Sequence, residues 1–246
     1  MSEFFQPIAN VAPKGVKGKM LFYGRLLAVF QALTVLRDMK SFLAYLEGKV
    51  MDIGCGDSPY AHLINRDTAT YIAVDTFEAS LFGYKRADLT VFDGRTLPFS
   101  DDSIDHVICS EVFEHVREPR LLANEIHRVL KIGGTALITI PWSARFHYKP
   151  NDYQRLTPTA IILLFDLFKN ISIKERGTDI VSIANKVIVI FCRCFYSNKK
   201  IQWLSLAPFF LASPILIFAI LLGHLSLMFG IGSPDDPLGY TIKLVK

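Results

Sequence analysis

Residues 50–59 read Val50-Met51-Asp52-Ile53-Gly54-Cys55-Gly56-Asp57-Ser58-Pro59, a short apolar run that ends in a glycine turn. An apolar run of this length bounded by turn residues predicts a buried strand that breaks sharply at its end. Gly54 and Gly56 carry no Cβ, so the backbone there can take φ > 0 and approach a ligand closely. A chain with this feature must hold the turn at the mouth of a sheet, with something flat or extended above it.

The residues that follow alternate strand and helix. Lys49–Ile53 is a strand, Tyr60–Asn65 a short helix and Thr70–Val74 a strand ending at Asp75, while Ile104–Cys109 is another apolar strand. Pro119–Leu130 has Pro in its first turn and Leu122, Ile126 and Val129 on one side, which predicts a helix stopped by Gly133-Gly134. Thr135–Ile140, Ile171–Gly177 and Gly239–Val245 are further strand candidates, and Pro158 to Phe168 a further helix. Before the glycine turn, Met20–Leu46 shows helical spacing of Leu26, Leu27, Phe30 and Leu33, with a basic arm ahead of it. Alternating strands and helices imply an α/β, doubly wound sheet with right-handed crossovers, whose ligands sit at the carboxyl ends of the strands.

Charge is divided along the chain. Residues 50–125 hold 14 of the 23 acids and 6 of the 27 bases, so the flanks are basic although the net charge is only +4. An acidic middle argues against nucleic acid across the glycine turn, and basic flanks beside apolar segments suit an anionic membrane surface. Cys55, Cys109, Cys192 and Cys194 form no CxxC pair and have no histidine at zinc-ligand spacing, so no metal is expected. The first residues lack the order of a cleavable signal, which places the expected catalytic core in the cytoplasm.

The order Asp52-x-Gly54-x-Gly56, Val74-Asp75, Asp93-Gly94, Leu97-Pro98-Phe99, Glu114-His115-Val116 and Arg128-Val129-Leu130-Lys131-x-Gly133-Gly134 resembles the class I S-adenosylmethionine (SAM)-dependent methyltransferases of the small-molecule branch. That resemblance covers residues 48–142 closely and 143–177 more loosely. It implies a seven-stranded Rossmann-like sheet and SAM as cofactor. It assigns Asp75 to the ribose hydroxyls, Asp93 to the adenine amino group with Gly94 leaving room for the ring, and Gly54 and Gly56 to the methionine moiety. Asp52 would hold the turn or reach the ligand ammonium through water, Cys55 would fill space, and Ser110 would line the methionine side. Asp88 is a second candidate for the role of Asp93. A nicotinamide reading is disfavoured, because the third fingerprint glycine is replaced by Pro59.

Residues 146–157 contain His147-x-x-Pro150-x-Asp152-Tyr153-x-Arg155-x-Thr157, which resembles a loop of methyltransferases associated with glycan and cell-surface biosynthesis. The resemblance implies a small, lipid-linked or glycan-related acceptor held by His147, Asp152, Tyr153 and Arg155. Histidine is the side chain best suited to taking a proton from an acceptor hydroxyl near neutral pH, which makes His147 the candidate base. Asp152 and Arg155 could equally brace the loop as a pair.

Between Lys200 and Asp235 lie 34 residues without a formal charge, more than the roughly 20 needed to cross a bilayer. A single crossing would put the strand at 239–245 on the wrong side. The expectation is therefore a membrane-associated insertion, broken at Pro208 and Pro214, that returns to the cytoplasm, with a single-pass protein as the alternative. The expected divisions are 1–48 (basic arm and helical cap), 49–178 (SAM-binding core), 179–234 (apolar insertion) and 235–246 (final strand). The rival function is a catalytically inactive SAM-binding or membrane partner module on the same fold.

Overall fold

A computed structural model describes residues 11–77, 88–196 and 206–246. The strands are β1 (Gly48–Ile53), β2 (Ala69–Thr76), β3 (Leu89–Phe92), β4 (Ile104–Ser110), β5 (Leu130–Pro141), β6 (Asn170–Glu175) and β7 (Gly239–Val245). They form one seven-stranded sheet in the order β3-β2-β1-β4-β5-β7-β6. β1 to β5 pair in parallel, and β7 lies antiparallel between β5 and β6. The order reverses between β1 and β4, so the crevice beyond their carboxyl ends is where ligands of this class bind.

Two helical layers cover the sheet, which is why the central strands are apolar on both faces. On one face, Phe22 and Leu26 of α1 (Gly15–Arg25) and its neighbourhood join Val35, Met39 and Leu43 of α2 (Phe30–Leu43) against Val50, Ile108 and Leu137. On the other face, Leu122, Ile126 and Val129 of α3 (Pro119–Val129) and Ile161 of α4 (Pro158–Leu164) pack on Met51, Ile53, Val107 and Ile138. α2 is also pinned by charge: Asp38 accepts from Thr241 Oγ1 at 2.6 Å and from Lys174 Nζ at 2.7 Å. α1 and α2 meet at a bend of 113°.

Several boundaries differ from expectation. Tyr60–Asn65 gives only a three-residue 3-10 turn, Ala61–Leu63, which ends where Ile64 turns to extended backbone. β3 was not anticipated. α3 ends at Val129 and β5 begins at Leu130, ahead of the glycines; Gly133 N donates to Lys246 O and Lys246 N to Gly134 O, each at 3.1 Å, so the pair lies inside the ladder.

Between β6 and β7 the chain forms α5 (Asp179–Tyr196) and α6 (Leu206–Phe229). The end of α6 returns to the start of α5, where Thr178 Oγ1 lies 2.7 Å from Ser226 Oγ and Asp179 N donates to Ser233 O at 2.9 Å, so the two helices run antiparallel. α6 is one continuous helix and is not broken at Pro208 or Pro214. Pro208 falls in its first turn, where no intrahelical N–H is needed. Pro214 cannot donate to the Phe210 carbonyl, and Ser213 Oγ does so instead at 2.8 Å. α6 closes on α2 where Gly223 meets Phe30: a Cβ on Gly223 would lie 2.4 Å from the Phe30 ring. Phe210–Phe229 is 20 residues with a mean hydropathy of 2.1, long and apolar enough to cross a membrane, and only 17% of the apolar window is buried. Its outward side chains include Leu211, Ile215, Phe218 and Met228.

Candidate functional site

The glycine turn sits at the carboxyl end of β1, beside the ends of β2 and β4. Gly54 has φ +67° and Gly56 φ +48°, and a Cβ on Gly54 would stand 2.4 Å from a Val112 methyl, so only glycine fits there. Gly56 N donates to Asp75 Oδ2 at 2.9 Å, tying the turn to the end of β2. Asp52 is buried and accepts from the Tyr71 hydroxyl at 2.6 Å, while Ser58 Oγ lies 2.5 Å from the same hydroxyl. Burial and the neighbouring Asp52 carboxylate keep the Tyr71 phenol protonated well beyond its ordinary range. Asp52 thus braces the turn, and buried Cys55 fills space beneath it.

The third strand end carries Asp93 and Gly94. Asp93 Oδ1 accepts from Thr96 N at 2.7 Å and Arg95 N at 2.8 Å, and these backbone donors, Thr96 foremost, hold its exposed carboxyl below the ordinary range. Above Gly94, at φ +79°, the nearest atom to an added Cβ is Thr76 Cγ2 at 3.7 Å. Ser110, at the end of β4, pairs its Oγ with Thr139 Oγ1 at 3.0 Å, which leaves its backbone to line the crevice. Asp88 stands just ahead of β3. The fold therefore brings Asp93, Asp75, Gly54 and Ser110 to the ends of four adjacent strands, β3, β2, β1 and β4.

The loop after β5 docks on a 3-10 turn after β4, Phe113–His115. Tyr153 N donates to Glu114 O at 2.8 Å, and Gln154 Nε2 to Phe113 O at 2.8 Å. Asp152 receives His147 N at 3.0 Å and both terminal nitrogens of Arg155, at 2.5 and 2.8 Å. Burial would raise the Asp152 carboxyl, but the Arg155 and His147 donors outweigh it and hold it low. Asp152 and Arg155 are thus spent on the loop itself. Tyr153 points its hydroxyl outward, donating to Asn151 Oδ1 and accepting from Arg117 Nε, each at 2.9 Å. The outer side of this loop is an open cleft of about 280 Å³ lined by Ala144, Phe146 and residues 152–155.

Behind the loop lies a group that sequence spacing did not disclose. The Glu114 side chain is 0% exposed, and its carboxylate lies 3.5 Å from His115 Nε2 and 3.9 Å from His147 Nε2. Burial, then the charge of Glu111, pushes the Glu114 carboxyl well up; burial pulls His115 down. Glu111 itself bridges two distant elements, taking Gln31 Nε2 of α2 at 2.6 Å and the fully buried Arg176 at 2.7 Å. The nearest signal in the sequence was Glu111-x-x-Glu114-His115 directly after a strand, but its partners His147, Arg176 and Gln31 lie on other elements.

Residues 51–138 match the family described as "Methyltransferase domain". Residues 51–138 are thus similar to a methyltransferase domain, and the match runs from β1 into β5. An uncharacterized methyltransferase of Mycolicibacterium vanbaalenii is 33% identical over 96 residues, 37% of this chain and 38% of that protein. A probable S-adenosylmethionine-dependent methyltransferase of Mycolicibacterium smegmatis is 31% identical over 113 residues, 44% of this chain and 43% of that one. The chain thus covers less than half the length of these curated relatives. Among solved structures, a SAM-dependent methyltransferase of Archaeoglobus fulgidus superposes with a TM-score of 0.53 at 14% identity, over 93% of this chain and 99% of that one. The [4+2]-cyclase SpnF gives a TM-score of 0.50 at 18% identity, over 88% and 81%. Both share the fold, and the second shows that the fold alone does not name a reaction.

The residues at the strand ends have the chemistry to hold SAM, the cofactor named for the Mycolicibacterium smegmatis relative. Carboxylates at the ends of β2 and β3 offer acceptors only, as hydroxyl and amino groups of a nucleoside require. Gly94 leaves a face that a side chain would fill.

Proposed function

We propose that this protein transfers a methyl group from SAM to a small, lipid-linked or glycan-related acceptor at a membrane surface. The observation that carries the reading is the alignment of Gly54–Gly56, Asp75 and Asp93–Gly94 across adjacent strand ends within a matched methyltransferase domain. SAM supplies an electrophilic methyl on a sulfonium that is already a good leaving group. What the chain must do is bind, orient and exclude water. Asp75 would take the ribose hydroxyls, Asp93 the adenine amino group, and the glycine turn the methionine portion. Glu111, Glu114, His115 and the loop at 143–157 then form the acceptor side, with His147 contributing a lone pair at Nε2 and Asp152 with Arg155 holding it in place. Tyr153 and the outer cleft would grip the remoter part of the acceptor.

The membrane part of the reading rests on α6, whose outward residues are apolar along its length, together with exposed Met20, Leu21 and Leu27 near α1. His224 Nε2 of α6 lies 2.8 Å from Leu27 O, so the two apolar surfaces adjoin. Lys17, Lys19 and Arg25 on α1 add positive charge beside them, which favours an anionic lipid surface. The antiparallel hairpin of α5 and α6 starts and ends at the sheet, as an element resting on or dipping into one leaflet would.

Calorimetric titration of the full chain with SAM, NAD and S-adenosylhomocysteine tests the assignment. SAM should bind and NAD should not, and Asp75→Ala should weaken SAM by roughly 10- to 100-fold, the range expected for hydrogen bonds to a charged group. Tight NAD binding, or SAM affinity indifferent to Asp75→Ala, would overturn it.

A further inference from the structure

Glu114, His115 and His147 lie outside the cofactor cradle, and the hydrogen bonds around them restrict what they can do. His115 Nδ1 is 2.5 Å from Asn151 O, and His147 Nδ1 is 2.9 Å from Arg145 O. A backbone carbonyl can only accept, so each Nδ1 carries the proton, and each neutral ring leaves a lone pair on Nε2. Both of those Nε2 atoms face Glu114. The Glu114 side chain is completely buried, and neither of its carboxylate oxygens has a hydrogen-bond partner among the described residues.

Three groups that can each offer an electron pair to an ion therefore converge within 4.8 Å of one another. The separations of 3.5 and 3.9 Å are too long for hydrogen bonds. They are close to the spacing of roughly 3–4 Å between neighbouring ligands on an ion with bonds of about 2.0–2.2 Å. An Nδ1–H held by a backbone carbonyl is also the usual support of a metal-bound imidazole, because it fixes the tautomer and the ring plane. Asp152 adds to this support, its Oδ2 lying 3.1 Å from His147 Nδ1.

We propose that Glu114, His115 and His147 bind a divalent transition-metal ion through one carboxylate and two Nε2 atoms. Two imidazoles select ions such as Zn²⁺, Co²⁺ or Fe²⁺ over Mg²⁺ and Ca²⁺, which require oxygen ligands. Three protein ligands leave at least one coordination position for an oxygen of another molecule. Its position after β4 and under the loop after β5 puts it on the acceptor side of the crevice. The ion's service to an acceptor rests on the methyl-transfer reading; its binding does not.

The experiment is a titration of chelator-stripped full-length protein with Co²⁺, followed by visible absorption, with Zn²⁺ as competitor. One Co²⁺ per chain is expected, displaced by Zn²⁺, with affinity falling at least tenfold in His147→Gln and in Glu114→Gln. His147 lies in a loop, so His147→Gln decides the matter if Glu114→Gln does not fold, circular dichroism serving as the check. Lack of stoichiometric binding by the wild type, or affinity unchanged in a folded His115→Gln/His147→Gln double variant, would overturn the proposal. SAM titration of the wild type fails or succeeds independently of the cobalt spectrum, so the two readings fall separately.

Discussion

Gln31 of α2 donates from Nε2 to Glu111 Oε2 at 2.6 Å, so this helix, which precedes the first strand, contributes directly to the rim of the crevice. The other oxygen of the same carboxylate holds Arg176, whose side chain is fully buried. Glu111→Ala would leave that guanidinium without its counter-charge. Breaking a buried pair costs about 3–5 kcal/mol, and because Glu111 is itself 26% exposed we expect about 2–3 kcal/mol. Urea denaturation of the variant checks this, and a midpoint within error of the wild type would refute it. Gln31→Ala should cost less, about 1 kcal/mol.

Tyr71→Phe removes the hydroxyl shared by Asp52 and Ser58. We expect a loss of about 1–3 kcal/mol, the cost of a buried acceptor losing its donor. SAM affinity should fall as well, because Asp52 and Ser58 flank the glycine turn. Equal SAM affinity in the two proteins would show that the turn keeps its shape without this bridge.

Acid sensitivity should be traceable to Glu125. Arg128, and then Leu97 N, hold its carboxyl below the ordinary range against the opposing effect of burial. A lowered folded-state pKa means the stabilisation is present above the unfolded value, roughly 4.3, and is lost as pH falls through the folded one. Glu125→Gln should therefore be less stable than wild type at pH 7 and converge on it below about pH 4. Thermal melts across that range decide the point; a constant gap at all pH values would exclude it.

The outward face of α6 should control lipid contact. Leu211→Glu/Phe218→Glu changes two side chains that are 79% and 65% exposed, so stability should move by no more than about 0.5 kcal/mol per site. Co-sedimentation with vesicles containing phosphatidylglycerol should drop sharply, with SAM binding retained. Undiminished sedimentation would remove α6 from the lipid-facing surface.

Much of this architecture could be read from residues alone because uninterrupted apolar stretches such as Ile72–Val74, Val107–Cys109 and Ala136–Ile138 are what strands buried on both faces require. β3 escaped notice because Leu89–Phe92 is a short edge strand with only Phe92 buried. The unbroken α6 was hidden by Pro214, since nothing in the residue order alone says that Ser213 will supply the missing donor. Gly54, Asp75 and Ser110 could be placed at strand ends because each closes an apolar stretch, whereas Asp93 was assigned through the resemblance alone. The triad of Glu114, His115 and His147 was not legible, because its members come together only when one loop folds over another.

Among the described residues β6 pairs only with β7, and β7 follows α6 in the chain. The sheet cannot take up its outermost strand until the whole apolar hairpin has been made. A ribosome must therefore release the most apolar part of this protein while the domain is still unfinished.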